Sequence, residues 1–473
     1  MKAGAGGSVR SRWTESGNDE VKQKYIKAVA WLKANDAVTT PYPPQDPRSY
    51  LTWKTIVRVH QSSCPHGNAY IFPWHRILLR YFEEACRFAL QDATFSVPYW
   101  DWTRDTKIPG AFFTVDVLKA DRSMNAESKI SEEFTGPSVI TNILKSDDFA
   151  TVHSRLPGMP THGGHGVNVG LFERAPHNGV HNSVGGIMSN PQDSVIDPLF
   201  WLHHCNIDRI WASWQGLHPD LVRSPDARWN DKTLRLSLTP LDAATASEEE
   251  AEKATLIPPL PKSPSNDAAE NAAKVSAILD IGALGYGYDS LEPLKTPAVK
   301  VPVPQIKARV VSEISGQTER RGDAVVTTFS FATGDAKRAV DAFRGSNASL
   351  ASVTALNLPA PATQEDRVAT IIRVFALEGK GYQQRPEFYA ASVLDRPEYL
   401  GVFSFFIHAH GGERAEDILS SAIFDISSWL RRSKSQEITL VAIALDRSKG
   451  YAPVILFPSS SQAELRLELA NVP

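Results

Sequence analysis

Apolar positions recur at helical spacing through the first half of the chain and at alternate positions through the second. NDEVKQKYIKAVAWLKAND (18–36) sets Tyr25, Val29 and Leu32 on one face and predicts a helix, which the Pro-rich TTPYPPQDPRSY then ends. TWKTIVRVH (52–60) predicts a second helix that presents His60. WHRILLRYFEEACRFAL (74–90) carries Ile77, Leu78, Tyr81, Phe82, Ala85, Phe88 and Ala89 as a broad stripe, the mark of a helix buried in a bundle. PLFWLHHCNIDRIWASW (198–214) repeats the helical spacing after Asp197-Pro198, with its polar His, Asp and Arg on one side.

Residues 103 to 172 read as loop-rich. From about Leu217 to Pro304 the composition shifts: Ser247 to Glu252 is acidic and IPPLPKSPSN is Pro-rich, which predicts a surface excursion over about 240–270. KVSAILDIGALGYGYDS then adds a short helix and Tyr286-Gly287-Tyr288. Beyond Gln305 the period changes to two. ARVVSEI, AVVTTFSFA, RVATIIRVFAL, EFYAASVL, GVFSFFIHAH, ITLVAIAL, APVILF and AELRLEL predict strands, with one helix, AEDILSSAIFDISSWLRR, between them. At 473 residues the chain exceeds a usual single domain. The expectation is a mainly α domain over 1–295, built on a helical bundle, followed by a β-rich sandwich or barrel over 305–473.

Histidine placement adds chemistry to this frame. His177 and His181 stand four apart on what reads as a helix, so both rings reach one side and one metal ion. One such pair alone is a weak signal. His204, in the next helix, is the natural third ligand. Upstream, His60, His66 and His75 make a second triplet, the last inside the apolar helix. Neither triplet includes a carboxylate in a ligand position. Hard cations prefer oxygen, and structural zinc more often recruits thiolate; six neutral imidazoles suit copper best.

HGNAYIFPWHR, PHNGVH, DPLFWLHHCNIDRIW and the later LGYGYD resemble the tyrosinase and polyphenol oxidase family of coupled binuclear copper proteins, across most of residues 50 to 290. The resemblance implies that His60, His66 and His75 hold one copper ion and His177, His181 and His204 the other, with His203 a non-ligand neighbour. It implies a thioether between Cys64 and His66. It implies that Glu173, four before His177, and Asn178 hold a water that draws the proton from an incoming phenol. Asp208, four beyond His204, is expected to bond a ligand imidazole. Arg209 is expected to hold Asp208 or bridge helices, and the Trp100-Asp101-Trp102 phrase to pack near the site. Asn182 occupies a position linked in the family to action on monophenols. Pro191 stands where plant relatives place a bulky Phe, which implies a more open entrance. The Tyr286/Tyr288 pair is expected to pack on Arg10 or Arg12.

The implied activity is ortho-hydroxylation of monophenols and oxidation of o-diphenols to o-quinones, with two copper ions as cofactor and phenols and O₂ as partners. A catechol oxidase without hydroxylase activity shares every ligand. A haemocyanin-like oxygen carrier uses the same six His, and a zinc hydrolase built on His177 and His181 leaves the first triplet unexplained. In the family the C-terminal domain can lay a side chain over the copper pair and keep the enzyme latent. His162 and His165 in a Gly-rich loop, and His408 and His410 on one strand face, read as polar residues rather than ligands.

The remaining composition narrows the class. With Lys+Arg 50 against Asp+Glu 53, net charge is −3, which argues against a nucleic-acid partner. No run of eighteen apolar residues occurs, so no membrane span is expected. Three cysteines do not describe a disulfide framework. With no apolar leader visible, the expectation is a cytoplasmic protein, with a homo-oligomer open.

Overall fold

The computed structural model describes residues 7–14, 17–38, 42–156, 167–224, 226–260, 271–292, 310–346, 349–390, 393–407 and 419–471. The chain divides into two compact units. One comprises Met1–Ser131 with Ser183–Ala298, the other Glu132–Asn182 with Val299–Pro473.

Four helices frame the first unit: α1 (Asp19–Asn35), α2 (Trp53–Ser63), α3 (Ile71–Leu90) and α4 (Leu199–Leu217). In α1 the buried face is Tyr25, Ala28, Val29 and Leu32, with Asp19 and Glu20 in the first turn and Lys33 in the last, each favourable to the helix dipole. Thr52 caps α2 by accepting from Thr55 N at 3.1 Å. Asp197 Oδ1 accepts from Leu199 N at 2.8 Å and so starts α4. Every residue of α4 from Leu199 to Gln215 is buried, and α3 is buried over most of its length. The Phe82 and Trp201 rings stack 3.7 Å apart and lock α3 to α4.

A short parallel pair, Ser8–Arg10 with Tyr286–Tyr288, closes this unit. Arg10 lies 4.0 Å over the Tyr286 ring, so the partner of the tyrosine pair is Arg10. Arg10 Nε also meets Glu83 at 3.0 Å. Arg76 Nε meets Asp208 at 2.6 Å, and the Tyr286 and Tyr288 hydroxyls donate to Asp208 at 2.7 and 2.6 Å.

The second unit is a β-sandwich. Its strands are β1 (Val310–Ile314), β2 (Gln317–Arg320), β3 (Ala324–Ser330), β4 (Leu350–Pro359), β5 (Thr370–Glu378), β6 (Tyr399–Ser404), β7 (Leu419–Asp425), β8 (Glu437–Asp446) and β9 (Glu464–Asn471). One sheet runs β6-β5-β8-β3-β2. In the other, Val167–Val169 is followed by β7-β4-β9-β1. Apolar residues of both sheets, among them Val353, Ile372, Leu440 and Leu467, share one buried core.

Residues 132–182 lie on the N-terminal side of the expected boundary near 295–305, yet they pack with the β-rich unit. Val167–Val169 adds a parallel strand to β7. Glu133 takes two bonds from Arg373 of β5, at 2.8 and 2.9 Å, and one from the Tyr399 hydroxyl at 2.9 Å. Arg174 donates to the carbonyls of Val402 and Ile423 and lies 3.9 Å over the Phe424 ring. Gly401 makes that approach possible: its φ is +144°, and a Cβ there would stand 3.0 Å from Arg174 Nη1.

Several expected elements differ. AEDILSSAIFDISSWLRR is not one helix: β7 takes residues 419–425 and a short helix follows over Ser427–Arg432. SSAIFD pairs with β4, and that partner overrides its helical look. EFYAASVL forms the 3₁₀ turns Pro386–Tyr389 and Val393–Asp395 instead of a strand, and APVILF keeps only Ala452–Pro453 as strand. KVSAILD gives a single 3₁₀ turn, Val275–Ala277. Within the loop-rich stretch a buried-face helix, Pro137–Lys145, appears. In the acidic excursion Ser247 and Glu250 form a capping box on Glu248–Lys253. His162, His165, His408 and His410 lie outside the described residues.

Candidate metal centre

Three imidazoles of the first unit form a cup. His60 comes from α2, His75 from the first turns of α3, and His66 from the turn between these helices. Their ring centroids lie 5.8 Å (His60–His66), 5.6 Å (His60–His75) and 5.6 Å (His66–His75) apart, nearly an equilateral triangle. The ligand atoms of these three and of Cys64 all fall within 4.8 Å of one another. His75 Nδ1 bonds the carbonyl of Ile71 at 2.7 Å. A carbonyl only accepts, so Nδ1 carries the proton and the Nε2 lone pair is left for a metal.

Cys64 lies against this cup. Its sulfur is 3.3 Å from His66 Nδ1, 3.7 Å from His66 Nε2 and 3.4 Å from His75 Nε2. The sulfur thus lies within 3.7 Å of both nitrogens of His66 that flank the ring carbon between them.

Helix α4 carries the adjacent pair His203 and His204, both fully buried. The His204 ring stacks on His75, centroids 4.2 Å apart and planes 18° from parallel, and lies 4.0 Å from Phe200. His203 commits its Nδ1 elsewhere: it accepts the Trp102 indole N–H at 3.0 Å. Phe200 also meets the His60 ring edge-on at 5.0 Å, so one phenyl buttresses both His60 and His204.

His177 and His181 belong to the second unit. Glu173–His177 forms one π-helical turn with Pro176 inside it and runs on into the short helix Asn178–Val184. Proline offers no N–H and clashes with the preceding turn, which accounts for a widened turn here. Gly179 is required beside it, because a Cβ there would stand 2.3 Å from the Phe134 ring. The His177 and His181 rings are 4.8 Å apart. His177 Nδ1–H donates to Asn178 Oδ1 at 2.7 Å, leaving Nε2 as the lone-pair nitrogen. Burial pushes the His177 imidazole down to about 4, so the ring is neutral at neutral pH, the form a metal requires.

Glu173 is buried and accepts from the Ser154 hydroxyl at 3.0 Å. The amides of Asn178 and Asn182 point to the end of β6: Asn178 Nδ2 reaches the Ser404 carbonyl at 3.3 Å, and Asn182 Nδ2 reaches Ser404 Oγ at 2.7 Å and the Phe405 carbonyl at 2.6 Å. Next in the chain, Phe406 stacks on His181 at 4.3 Å and meets His177 edge-on at 5.5 Å. Sequence reasoning missed Ser404 and Phe406, since FSFF reads as an ordinary buried strand.

One expectation is corrected, and of the two roles expected for Arg209 the structure keeps the bridging one. Among the described residues Asp208 bonds no imidazole; Arg10, Arg76, Tyr286 and Tyr288 take its oxygens. Carbonyl groups orient His75 and His177 instead. Arg209 bridges Asn206, Asp101, Ser290 and Glu292 rather than holding Asp208. Pro191 sits buried in the turn between Gly186–Ser189 and Ser194–Ile196, its carbonyl accepting from Ser194 Oγ at 3.3 Å.

Residues 50–137 and 115–217 match the family model described as the common central domain of tyrosinase. Residues 50–217 of the chain carry the central domain of the tyrosinase family. It is 30% identical over 197 residues to a tyrosinase of Hahella sp. (strain CCB-MM4), covering 37% of this chain and 41% of that protein. It is 33% identical over 177 residues to a G-type haemocyanin of Enteroctopus dofleini, covering 33% of this chain and 6% of that protein. The matched stretches thus span less than half of either relative. Among solved structures, latent apple tyrosinase aligns with a TM-score of 0.64 at 18% identity, over 100% of this chain and 99% of that one, a likeness of fold. Tyrosinase-family proteins bind two copper ions. The cup of His60, His66 and His75 fits copper: two buried imidazoles and a half-buried third, one with its tautomer fixed, and no carboxylate among the donors.

Proposed function

We propose that this chain is a copper-dependent oxidase that hydroxylates monophenols at the ortho position and oxidises o-diphenols to o-quinones. His60, His66 and His75 would hold one copper ion, and His177, His181 and His204 the other. The observation that carries this reading is the three-imidazole cup with His204 stacked on its His75 edge. When bound, the copper pair supplies electrons to O₂ and positions the activated oxygen against the ring.

The protein's own part is binding and proton handling. A free phenol ionises only near 10, so a base must take its proton before the oxygen can serve as an anionic ligand. Glu173 is that base. Asn178 commits its carbonyl to His177, and its amide, bonded to the Ser404 carbonyl in the closed form, would on opening hold the water or phenol oxygen whose proton Glu173 takes. Asn182, one helical turn on, adds a second amide on the same face.

We read the chain as resting in a closed form, with Phe406 laid over His181 where a substrate ring would stack. The latent state named for the apple enzyme of like fold supports this reading. Two other activities would use the same ligands. A catechol oxidase would take the diphenol alone. The likeness to octopus haemocyanin favours, as a further alternative, reversible O₂ carriage.

Copper analysis of the purified chain, with oxygen uptake measured on a monophenol and on an o-diphenol, separates these. Two copper ions and uptake on both substrates are expected. Uptake on the diphenol alone would leave a catechol oxidase, and O₂ binding without quinone a carrier. One ion, or zinc, would overturn the assignment.

A further inference from the structure

Ser154 follows the short helix Phe149–His153 and is buried. Its backbone stands at φ +76° and ψ 167°, a conformation that only glycine adopts without cost. Such strain persists where the surroundings impose it, and it gathers at working sites. Here the surroundings can be named. The Ser154 N–H stays with the helix and donates to the Ala150 carbonyl at 3.1 Å. The Ser154 hydroxyl accepts from the Gly170 N–H at 2.8 Å and donates to Glu173 Oε2 at 3.0 Å. A backbone N–H can only donate, so the one hydroxyl proton is left for the carboxylate. Gly170 follows the Val167–Val169 strand, which pairs with β7, and its carbonyl accepts from Arg174 N at 3.0 Å. A Cβ on Gly170 would stand 2.5 Å from Ser154 N, so this contact needs glycine there.

We propose that Ser154 is a positioning residue for Glu173: its hydroxyl, presented by a strained backbone, fixes the carboxylate where it is to receive a phenol's proton. This rests on the reading of Glu173 as the base, and it goes beyond that reading by naming what holds the base. Glycine would take the same backbone shape at no cost, yet it has nothing to offer Glu173. What serine adds at this position is the hydroxyl alone. That hydroxyl ties the end of one helix and the end of one strand to the first residue of the Glu173–His177 turn. A bond from a donor so anchored fixes the carboxylate's rotamer as well as its place, and a charged acceptor makes it one of the stronger kind.

The test uses the full-length, copper-loaded protein and compares Ser154→Gly with Ser154→Ala. Both remove the hydroxyl, but glycine relaxes the backbone and alanine keeps the strain. The Gly variant should therefore unfold at a midpoint about 2–4 °C above the Ala variant. Monophenol kcat should nevertheless fall in both by the same factor, about tenfold to a hundredfold, the loss that a misplaced group brings. The rate on an o-diphenol should fall less, because its second hydroxyl donates to the phenolate and eases loss of the first proton. A residue that only shapes the backbone would let activity follow stability, so recovery of the parent monophenol rate in Ser154→Gly would overturn the proposal. That comparison with the parent stands even if Ser154→Ala folds poorly. Crystals of Ser154→Gly supply a readout without activity: the Glu173 carboxylate is expected to leave its parent position, and a carboxylate still in place would also overturn the proposal. A parent that oxidises no phenol, with Glu173 displaced in the variant, keeps Ser154 as the holder of Glu173 and fails only the proposed activity.

Discussion

The indole N–H of Trp102 donates to Nδ1 of His203 at 3.0 Å. An indole nitrogen can only donate, so Nδ1 must offer its lone pair there, and a neutral imidazole then keeps its proton on Nε2. Neither nitrogen of His203 is left with a lone pair for a metal. The stacked ring of His204 carries no such commitment to Trp102. The expected outcome is that His204→Ala loses about one of two bound copper ions and both oxidase activities. His203→Ala should retain nearly all of its copper, as read by atomic absorption on the purified variants. Equal copper loss in both would reverse the choice of ligand.

Cys64 leads to a second expectation. Its sulfur lies 3.3 and 3.7 Å from the two ring nitrogens of His66, close to the carbon between them, and it is buried. A thioether formed there after copper and O₂ are supplied would hold the ring at a fixed angle. The intact chain should then weigh two hydrogen atoms less than its sequence, and thiol titration after unfolding should find two of the three cysteines. Cys64→Ala should restore the sequence mass. Three titratable thiols in copper-loaded, oxygen-exposed protein would show that the sulfur only packs against the ring.

How much of this was legible beforehand depends on the partner each residue needs. The stripe of α3 and the spacing of His177 and His181 are properties of one segment, and they stand in the sequence as they do in the fold. Asp208 is different. Its place four residues after His204 pointed to an imidazole, but Arg10 and Tyr288 approach it from positions 198 earlier and 80 later, which no local spacing reveals. SSAIFD looked helical because its strand partner β4 lies far upstream. Phe406 was hidden for the same reason: FSFF is a fair buried strand, and only the end of register at Ser404 turns its last ring onto His181.

Glu133 and Arg373 form a buried bidentate pair at 2.8 and 2.9 Å that ties the segment bearing His177 to β5. Both side chains are excluded from water, so removing one partner strands the other charge. Glu133→Gln is expected to destabilise the chain by about 3–5 kcal/mol, while Glu133→Gln combined with Arg373→Met recovers much of that loss. Urea unfolding of the parent and both variants measures it. A loss below about 1 kcal/mol would mean that water reaches the pair.

Acid stability turns on Asp208. Burial raises its carboxyl, but Arg76 and Arg10 beside it, and the bonds from Tyr288 and Arg76, outweigh burial and hold it below the ordinary carboxylate range. A carboxyl whose folded value lies below its unfolded one adds stability above the unfolded value, about 3.9, and that stability is lost as pH falls through the folded value. Asp208→Asn keeps the shape and removes the charge, leaving the buried Arg76 guanidinium without its anion and Arg10 with Glu83 alone. It should cost about 3–5 kcal/mol near neutral pH and flatten the acid side of the stability curve. Unfolding midpoints measured from about pH 7 down to about pH 3 compare the two proteins across that window. An unchanged acid slope in the variant would place the titration on other carboxylates and leave Asp208 a packing residue.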